Sequence, residues 1–148
     1  MKPEDKELFL KLSDINLLGL LLYLEGRGEP IEGRIAIANV VRNRTRGKLH
    51  YFDVIIATNQ FSCLNSNDPN YPIAIKTAQV LSQAQIGEIP DAILRECVFV
   101  SQGVVSGFVL DNTKGAKYYF NPSVCRPSWA AKMAITRVIG NHQFLREG

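Results

Sequence analysis

The sequence has little cysteine and no spacing typical of a metal site. Its three cysteines, Cys63, Cys97 and Cys125, are an odd number at irregular intervals, and no Cys-x-x-Cys pair occurs. This pattern excludes a dense disulfide framework, although a single bridge between two of them stays open. Because His50 and His142 are the only histidines, a histidine-based metal site is not expected either. We therefore predict that the protein uses no metal and no cofactor.

Long apolar runs are also scarce. The main candidate, residues 15–24, is interrupted by Asn16 and is too short to cross a bilayer. Residues 1–7 carry charges of both signs, whereas a secretory signal needs a basic start that leads directly into an apolar run. The sequence therefore predicts neither a membrane span nor a signal peptide.

A strong excess of one charge is absent as well. The formal net charge is +3, and no run of Lys and Arg is longer than two residues. Such a weak basic bias does not require a nucleic-acid partner. The densest basic residues do not share one helix face cleanly, so nucleic acid is not expected as a partner and stays a minor alternative. These residues are Arg27, Arg34, Arg42, Arg44 and Arg46.

What the sequence does contain is a set of helical segments in its first two thirds. Hydrophobic residues make up 46% of the 148 residues, which is enough for a real core, and no repeat or linker divides the chain. We predict one domain over residues 1–148. Ser13 is placed as the cap of a buried helix that ends at Gly26. Further helices are predicted from Pro30 to Gly47, over 52–57 and over 72–86, with a loop at 58–71.

The last third has a different character. The valine-rich stretch 97–110 predicts a strand pair, with a helix starting at Ala92 as the open alternative. Tyr118–Phe120 predicts a strand, and residues 128–138 predict a last amphipathic helix. Helices followed by a small β element indicate an α+β domain that is mainly helical.

The segment Glu25–Pro30 is the strongest candidate for chemistry. Two carboxylates, Glu25 and Glu29, flank two glycines and an arginine where the buried helix ends. Partial desolvation and the negative end of the helix dipole both raise the pKa of a carboxyl at such a place. A protonated carboxyl is the general acid that glycoside cleavage requires. Taken alone, the pattern is more typical of a solvated surface pair than of a catalytic site.

Five motifs in and around this segment follow one another along the chain: Tyr23–Pro30, Glu32–Gly33 with Ile35–Arg44, Gln60–Cys63, Gly115–Pro122 with Pro127 and Trp129, and Ile139–Phe144. Together they resemble the SleB-type cell-wall hydrolases, a family of spore-cortex-lytic enzymes and some phage lysins. The resemblance covers roughly residues 20–146, with the family's segments in the family's order.

This resemblance implies a lysozyme-like, lytic-transglycosylase-like fold and an enzyme that acts on peptidoglycan glycan strands. It implies cleavage of the β-1,4 bond between N-acetylmuramic acid and N-acetylglucosamine. A single glutamate first donates a proton to the glycosidic oxygen and then serves as base while a 1,6-anhydro ring closes. The glutamate that matches is Glu25, and no cofactor is implied.

The same resemblance supplies the candidate substrate-binding residues. Gln60 and Ser62 flank an aromatic residue on a predicted loop, where they could bind sugar hydroxyls or act in a turn. Strand alternation places Tyr118 and Tyr119 on opposite faces, and Tyr118 is the preferred cleft residue. The remaining candidates are Asn121, Arg27 and Glu29, with an ion pair between the last two as the alternative.

Two features depart from the family pattern. Gly26 stands where the family usually has alanine, and residues 92–110 form a segment that the compact pattern lacks. We predict that this extra segment is a hairpin near the cleft that affects substrate preference.

Two alternative functions and two biological settings stay open. A hydrolytic muramidase would need a second acid, for which Glu29 and Glu32 are the nearest candidates in sequence. A wall-binding or virion protein on the same fold would have weak activity or none. The setting is expected to be either a phage endolysin, which stays in the host cytoplasm until it reaches the wall, or a secreted bacterial hydrolase of the cell envelope. The start at Met1 favours the phage setting, and a monomer is expected.

Overall fold

The computed structural model describes residues 1–46, 50–57 and 61–148. Within them, helices precede a small sheet. The α-helices are α1 (Pro3–Leu10), α2 (Asp14–Gly26), α3 (Ile31–Thr45), α4 (Tyr51–Ile56), α5 (Tyr71–Leu81) and α6 (Ala92–Val105). The strands are β1 (Tyr118–Phe120), β2 (Met133–Ile139) and β3 (His142–Glu147). Short 3-10 turns lie at Ser62–Leu64, Ile86–Glu88 and Ser128–Lys132.

Helix α2 is the centre of the core. The Ser13 side chain accepts a hydrogen bond from the Asn16 backbone N–H at 3.1 Å, so the predicted cap is confirmed. Leucines around the whole helix are fully or almost fully buried, which explains why the segment has no polar face. The last turn of α2 carries Glu25, so the most buried helix of the described fold holds the candidate acid.

Residues 92–105 form a helix, so the predicted strand pair at 97–110 is wrong and the alternative of a helix that starts at Ala92 is confirmed. Asp91 caps α6 by accepting hydrogen bonds from the backbone N–H groups of Ile93 and Leu94. Most of the buried positions recur every three or four residues, as a helix requires, at Leu94, Cys97, Val98, Ser101 and Val104, and Val100 is buried beside them. The segment is therefore a core helix packed against α2 and not a hairpin beside a cleft.

The contact between α2 and α6 is close because Gly19 lies at the crossing. A Cβ atom at Gly19 would lie 2.9 Å from Cγ2 of Val98 and 3.1 Å from its Cα. Val98 is itself fully buried. Glycine thus lets the two backbones approach, and the position of α6 fixes that of α2.

The C-terminal segment is a hairpin, and the helix predicted over 128–138 is wrong. Strand β3 lies between β1 and β2 and is antiparallel to both. The β-branched residues of β2 favour a strand, and Gly140 with Asn141 forms the two-residue turn that leads into β3. Gly140 has a φ of +57°, which glycine adopts without strain. The strand predicted at Tyr118–Phe120 is confirmed.

The α+β class with a small sheet is confirmed. Helix α5 ends at Leu81, before the predicted end at 86. The buried hydrophobic residues form one cluster that extends from α1 to β3. Within the described ranges, no helix has both the length and the apolar character needed to cross a membrane.

Candidate active site

Glu25 lies in a cleft between the end of α2 and the small sheet. Helix α3, the segment at 61–62, strand β1 and the segment 125–133 form its walls. The cleft has a volume of about 630 Å³. Five of its eleven described lining residues are aromatic; the full lining is Glu25, Arg44, Phe61, Ser62, Tyr118, Tyr119, Phe120, Cys125, Pro127, Trp129 and Met133. An open groove with ring faces and one acid suits an extended ligand with alternating apolar faces and hydroxyl edges.

Burial raises the pKa of Glu25 above the usual value of a glutamate, and the charge of Asp68 acts in the same direction. The Cys63 thiol opposes this by donating a hydrogen bond to Oε1 of Glu25 at 3.6 Å. The net effect is that the pKa of Glu25 is raised, so its carboxyl stays protonated to a higher pH than that of an exposed glutamate. General acid catalysis requires a protonated carboxyl, so Glu25 stays the candidate acid of this cleft.

Cys63 is a buried neighbour of that acid. It is 3% exposed, and burial raises the pKa of its thiol, with the charge of Glu25 acting in the same direction. A thiol with a raised pKa is a poor nucleophile. Cys63 thus acts as a hydrogen-bond donor to the carboxyl of Glu25.

Tyr119 forms the inner aromatic wall. Its ring stacks on Phe61, with centroids 6.5 Å apart, and lies 5.8 Å from the ring of Phe144. Burial raises the pKa of Tyr119 well above its usual value, and the charge of Glu25 raises it further. The tyrosine is therefore a neutral phenol held close to the candidate acid.

Tyr118 and Trp129 form the outer wall. Their ring centroids are 5.5 Å apart, and Trp129 also meets the ring of Phe120 edge-on at 6.0 Å. The Tyr118 hydroxyl donates to Oε1 of Glu147 at 3.0 Å. Trp129 is 38% exposed, so its face is available to a ligand in the cleft. Both tyrosines line the cleft, although only Tyr118 was the preferred cleft residue.

Arg44 lies in the same wall. Its guanidinium is 5.7 Å from the Phe61 ring centroid and 5.2 Å from that of Tyr118, within the range of cation–π contacts. Its Nε donates to the backbone carbonyl of Lys117 at 2.6 Å. Burial lowers the pKa of Arg44. The sequence indicated this residue only as part of a basic cluster and not as a cleft residue.

The basic cluster does not form one surface. Arg34 is buried and pairs with Glu96 at 2.8 Å, while it also donates to the carbonyl of Gly26. Arg44 lies in the cleft wall. The phosphate-binding face that a nucleic-acid partner would need is therefore split between the interior and the cleft.

Of the remaining predicted site residues, Arg27 and Asn121 lie away from the cleft lining. Arg27 donates to the carbonyl of Tyr23 at 3.3 Å and stacks over its ring at 5.3 Å. Asn121 accepts hydrogen bonds from the backbone and hydroxyl of Ser123 in a turn. Ser62 is exposed and lines the cleft, whereas Gln60 is outside the described residues.

Glu29 faces the β2–β3 turn. It is 7% exposed and accepts three hydrogen bonds, from the backbone and side-chain amides of Asn141 and from the ring of His142. Burial alone would raise its pKa, but these donors together lower it below the usual value. Glu29 is thus a charged carboxylate that belongs to the internal structure, and Arg27 is not its ion-pair partner in the described contacts.

Sequence reasoning missed part of the aromatic wall. Phe61 and Phe120 lie inside recognised motifs, so their position in those motifs was a usable signal. Met133 comes from the segment 128–138, whose fold was predicted incorrectly, and Cys125 precedes that segment; nothing in their local pattern indicates a cleft.

The fold and cleft define a mainly helical α+β protein with one half-buried glutamate in an aromatic groove. The family model described as Cell Wall Hydrolase matches residues 28–145. The chain belongs to this cell wall hydrolase family. The matched range contains the cleft residues of the sheet and begins three residues after Glu25.

Curated relatives share the same region. The spore cortex-lytic enzyme of Bacillus subtilis strain 168 is 33% identical over 132 residues, which is 89% of this chain and 37% of that protein. The spore cortex-lytic enzyme of Oceanobacillus iheyensis is 29% identical over 134 residues, 90% of this chain and 42% of that protein. The chain thus spans well under half the length of these relatives.

A solved structure has a similar fold. The catalytic domain of the Bacillus cereus SleB protein aligns with a TM-score of 0.60 and 26% identity. The alignment covers 90% of this chain and 89% of that domain. The match extends over nearly the whole of both chains, so the arrangement of helices and sheet is shared.

Proposed function

We propose that this protein cleaves peptidoglycan glycan strands as a lytic transglycosylase, with Glu25 as its one catalytic carboxyl. The bond cleaved is the β-1,4 bond between N-acetylmuramic acid and N-acetylglucosamine. Membership of the cell wall hydrolase family supports the polymer, and the aromatic groove suits its sugar rings. The place of action is the cell wall.

The reaction needs one acid that later becomes a base. Protonated Glu25 donates its proton to the glycosidic oxygen as the bond from that oxygen to C1 of the muramoyl sugar breaks. The resulting carboxylate then takes the proton of the C6 hydroxyl while O6 forms a new bond to C1. The products are a free 4-hydroxyl and a 1,6-anhydro ring, and no water is consumed. The raised pKa of Glu25 suits the first step.

The observation that carries this proposal is the number of carboxylates in the cleft. Among the described residues of the lining, Glu25 is the only one. Hydrolysis with two carboxylates would need a second one across the scissile bond. The carboxylate of Glu29 accepts hydrogen bonds from residues of the β2–β3 turn and does not face the cleft, and Glu32 is exposed at the start of α3. A single-carboxyl mechanism fits this arrangement.

Asp68 is the one observation in favour of a hydrolytic muramidase. Its charge raises the pKa of Glu25, so it lies close enough to act through space. It is half-buried and does not line the cleft, and its Oδ1 accepts from the backbone N–H of Asn70 at 2.8 Å. This hydrogen bond stabilises the turn, so it gives Asp68 a structural role that does not depend on catalysis.

The experiment compares wild type, Glu25→Gln and Asp68→Asn for release of soluble glycan from purified peptidoglycan. We expect wild type and Asp68→Asn to release glycan and Glu25→Gln to release none, while all three bind the wall. Loss of activity in Asp68→Asn with a normal melting temperature would instead support two-carboxylate hydrolysis. A wild-type protein that binds the wall and releases nothing would support the non-catalytic wall-binding function.

A further inference from the structure

A buried contact outside the cleft joins the α2–α3 turn to the β2–β3 turn. Oε1 of Glu29 accepts from the backbone N–H of Asn141 at 3.0 Å and from Nδ1 of His142 at 2.6 Å. Oε2 accepts from the side-chain amide of Asn141 at 2.8 Å. Three donors from two consecutive residues hold both oxygens of one carboxylate.

The space around Glu29 is fitted to its side chain. A Cβ atom at Gly140 would lie 2.9 Å from Oε1 of Glu29, and one at Gly33 would lie 3.2 Å from its Cβ. Either atom would be tighter than ordinary van der Waals contact. Glycine at both positions therefore lets the carboxylate sit against the turn in one place.

The hydrogen bond to Glu29 also fixes the ring of His142. The pKa of Glu29 is lowered despite its burial, so the carboxylate is charged at neutral pH and can only accept. Nδ1 of His142 must then carry the proton that it donates. Because one ring nitrogen is held, the plane of the imidazole is held as well.

That ring contacts the inner wall of the cleft. The His142 ring meets Tyr119 edge-on, with centroids 5.2 Å apart and planes at 80°. Tyr119 lines the cleft with Glu25, whose charge acts on its phenol. Glu29 is thus connected to the cleft through two contacts in series, although its own carboxylate does not line the cleft.

We infer that Glu29 is a positioning residue that acts through His142 to hold Tyr119 beside Glu25. The inference rests on the proposed function, because the place of Tyr119 affects turnover only if glycan reacts at Glu25. It assigns Glu29 a role different from the substrate binding that the sequence predicts. A displaced wall misorients the reacting sugar, so the effect falls on kcat and leaves KM nearly unchanged.

The test uses Glu29→Gln, His142→Phe and the double variant, with kcat and KM measured on soluble glycan strands well below the lowest melting temperature. Each single variant is expected to lower kcat about tenfold with little change in KM. The double variant is expected to lose no more than either single variant, because both changes break the same series of contacts.

Two further variants separate this role from a purely structural one. Asp91→Asn alters another carboxylate that accepts three hydrogen bonds, from Ile93, Leu94 and Tyr23, away from the cleft. It is expected to leave kcat unchanged. If Glu29→Gln does not fold, His142→Phe carries the kinetic test and Asn141→Ala is its structural control. This variant removes one donor but keeps His142 in contact, so it should reduce stability and preserve kcat.

A second readout is independent of activity. The NMR chemical shifts of the Tyr119 ring are expected to move in Glu29→Gln and in His142→Phe, and to stay in place in Asp91→Asn. The inference is overturned if Glu29→Gln leaves both kcat and the Tyr119 shifts unchanged. It is also overturned if KM rises at constant kcat, which would make Glu29 a substrate-binding residue. If activity survives in Glu25→Gln, the proposed function is contradicted. The chemical shifts of the Tyr119 ring would still show whether Glu29 holds Tyr119 through His142.

Discussion

The thiol of Cys63 donates its hydrogen bond to the carboxyl oxygen of Glu25 that lies 3.6 Å away. This contact lowers the pKa of Glu25, while burial, the largest influence, raises it. The cysteine beside the acid therefore adjusts the pH at which the acid loses its proton. The pH dependence of activity can report this contact directly.

Replacement of Cys63 should move the alkaline limb of the pH–activity profile. Glu25 must be protonated to act as acid, so activity falls as pH rises through its pKa. Cys63→Ala removes a donor that favours the charged form, which raises this pKa and moves the limb to higher pH. Cys63→Ser provides a stronger donor and should move the limb to lower pH. Shifts in the same direction for both variants would contradict this prediction.

Glu29 should contribute stability that is lost in acid. Its pKa is lowered in the folded state, so the contribution is complete above the unfolded pKa of about 4.3 and disappears as pH falls through the folded pKa. Glu29→Gln removes this contribution, so wild type should exceed the variant in unfolding free energy at neutral pH and converge with it in acid. Urea unfolding at several pH values measures the difference. Glu32→Gln, at an exposed carboxylate of α3, should keep the pH dependence of wild type.

Gly19→Ala should destabilise the fold by forcing α2 and α6 apart. The new Cβ would lie 2.9 Å from a buried Val98 methyl and 3.1 Å from its backbone. Overpacking of this kind costs about 1–3 kcal/mol, which urea denaturation resolves. Gly87→Ala is the control because no heavy atom lies within 4 Å of its added Cβ. A Gly19→Ala protein as stable as wild type would mean that the helices do not cross at this glycine.

Trp129→Ala should weaken glycan binding more than it slows turnover. The exposed ring face contributes aromatic contact in the outer wall, and such contacts are worth about 0.5–1.5 kcal/mol, or roughly two- to twelve-fold in affinity. Binding of soluble glycan is best measured in the Glu25→Gln background, where the ligand stays intact. Trp129→Phe should lose less, and Phe108→Ala, at a ring that is 89% exposed outside the cleft lining, should lose nothing. Equal losses in all three would exclude a specific stacking surface.

The sequence was most informative where local chemistry alone determines structure. Ser13 as a cap, the apolar helix that follows and the aromatic strand at 118–120 were all predicted, because each depends on residues a few positions apart. The glycine that follows Glu25 predicted correctly that this residue lies at the end of that helix, and its catalytic role stays a prediction. The family and the fold class were also predicted.

The errors in secondary structure came from segments where the signals for a helix and for a strand compete. Valines at 98–105 have high β propensity, yet the three-to-four spacing of the buried residues and the Asp91 cap favour a helix. In 133–139 the β-branched residues and the following Gly140-Asn141 pair were a hairpin signal that outweighs helical amphipathicity. The role of Glu29 depends on a residue more than a hundred positions away, which local pattern cannot indicate.

The most direct test of the central claim is the mass of the products. Purified peptidoglycan is digested with wild type and with Glu25→Gln, and the soluble fragments are identified by mass spectrometry. The proposed mechanism predicts fragments that end in 1,6-anhydro-muramic acid from wild type and none from Glu25→Gln. Fragments that end in a reducing sugar, heavier by one water, would contradict the transglycosylase mechanism and require a second group in the cleft that activates water.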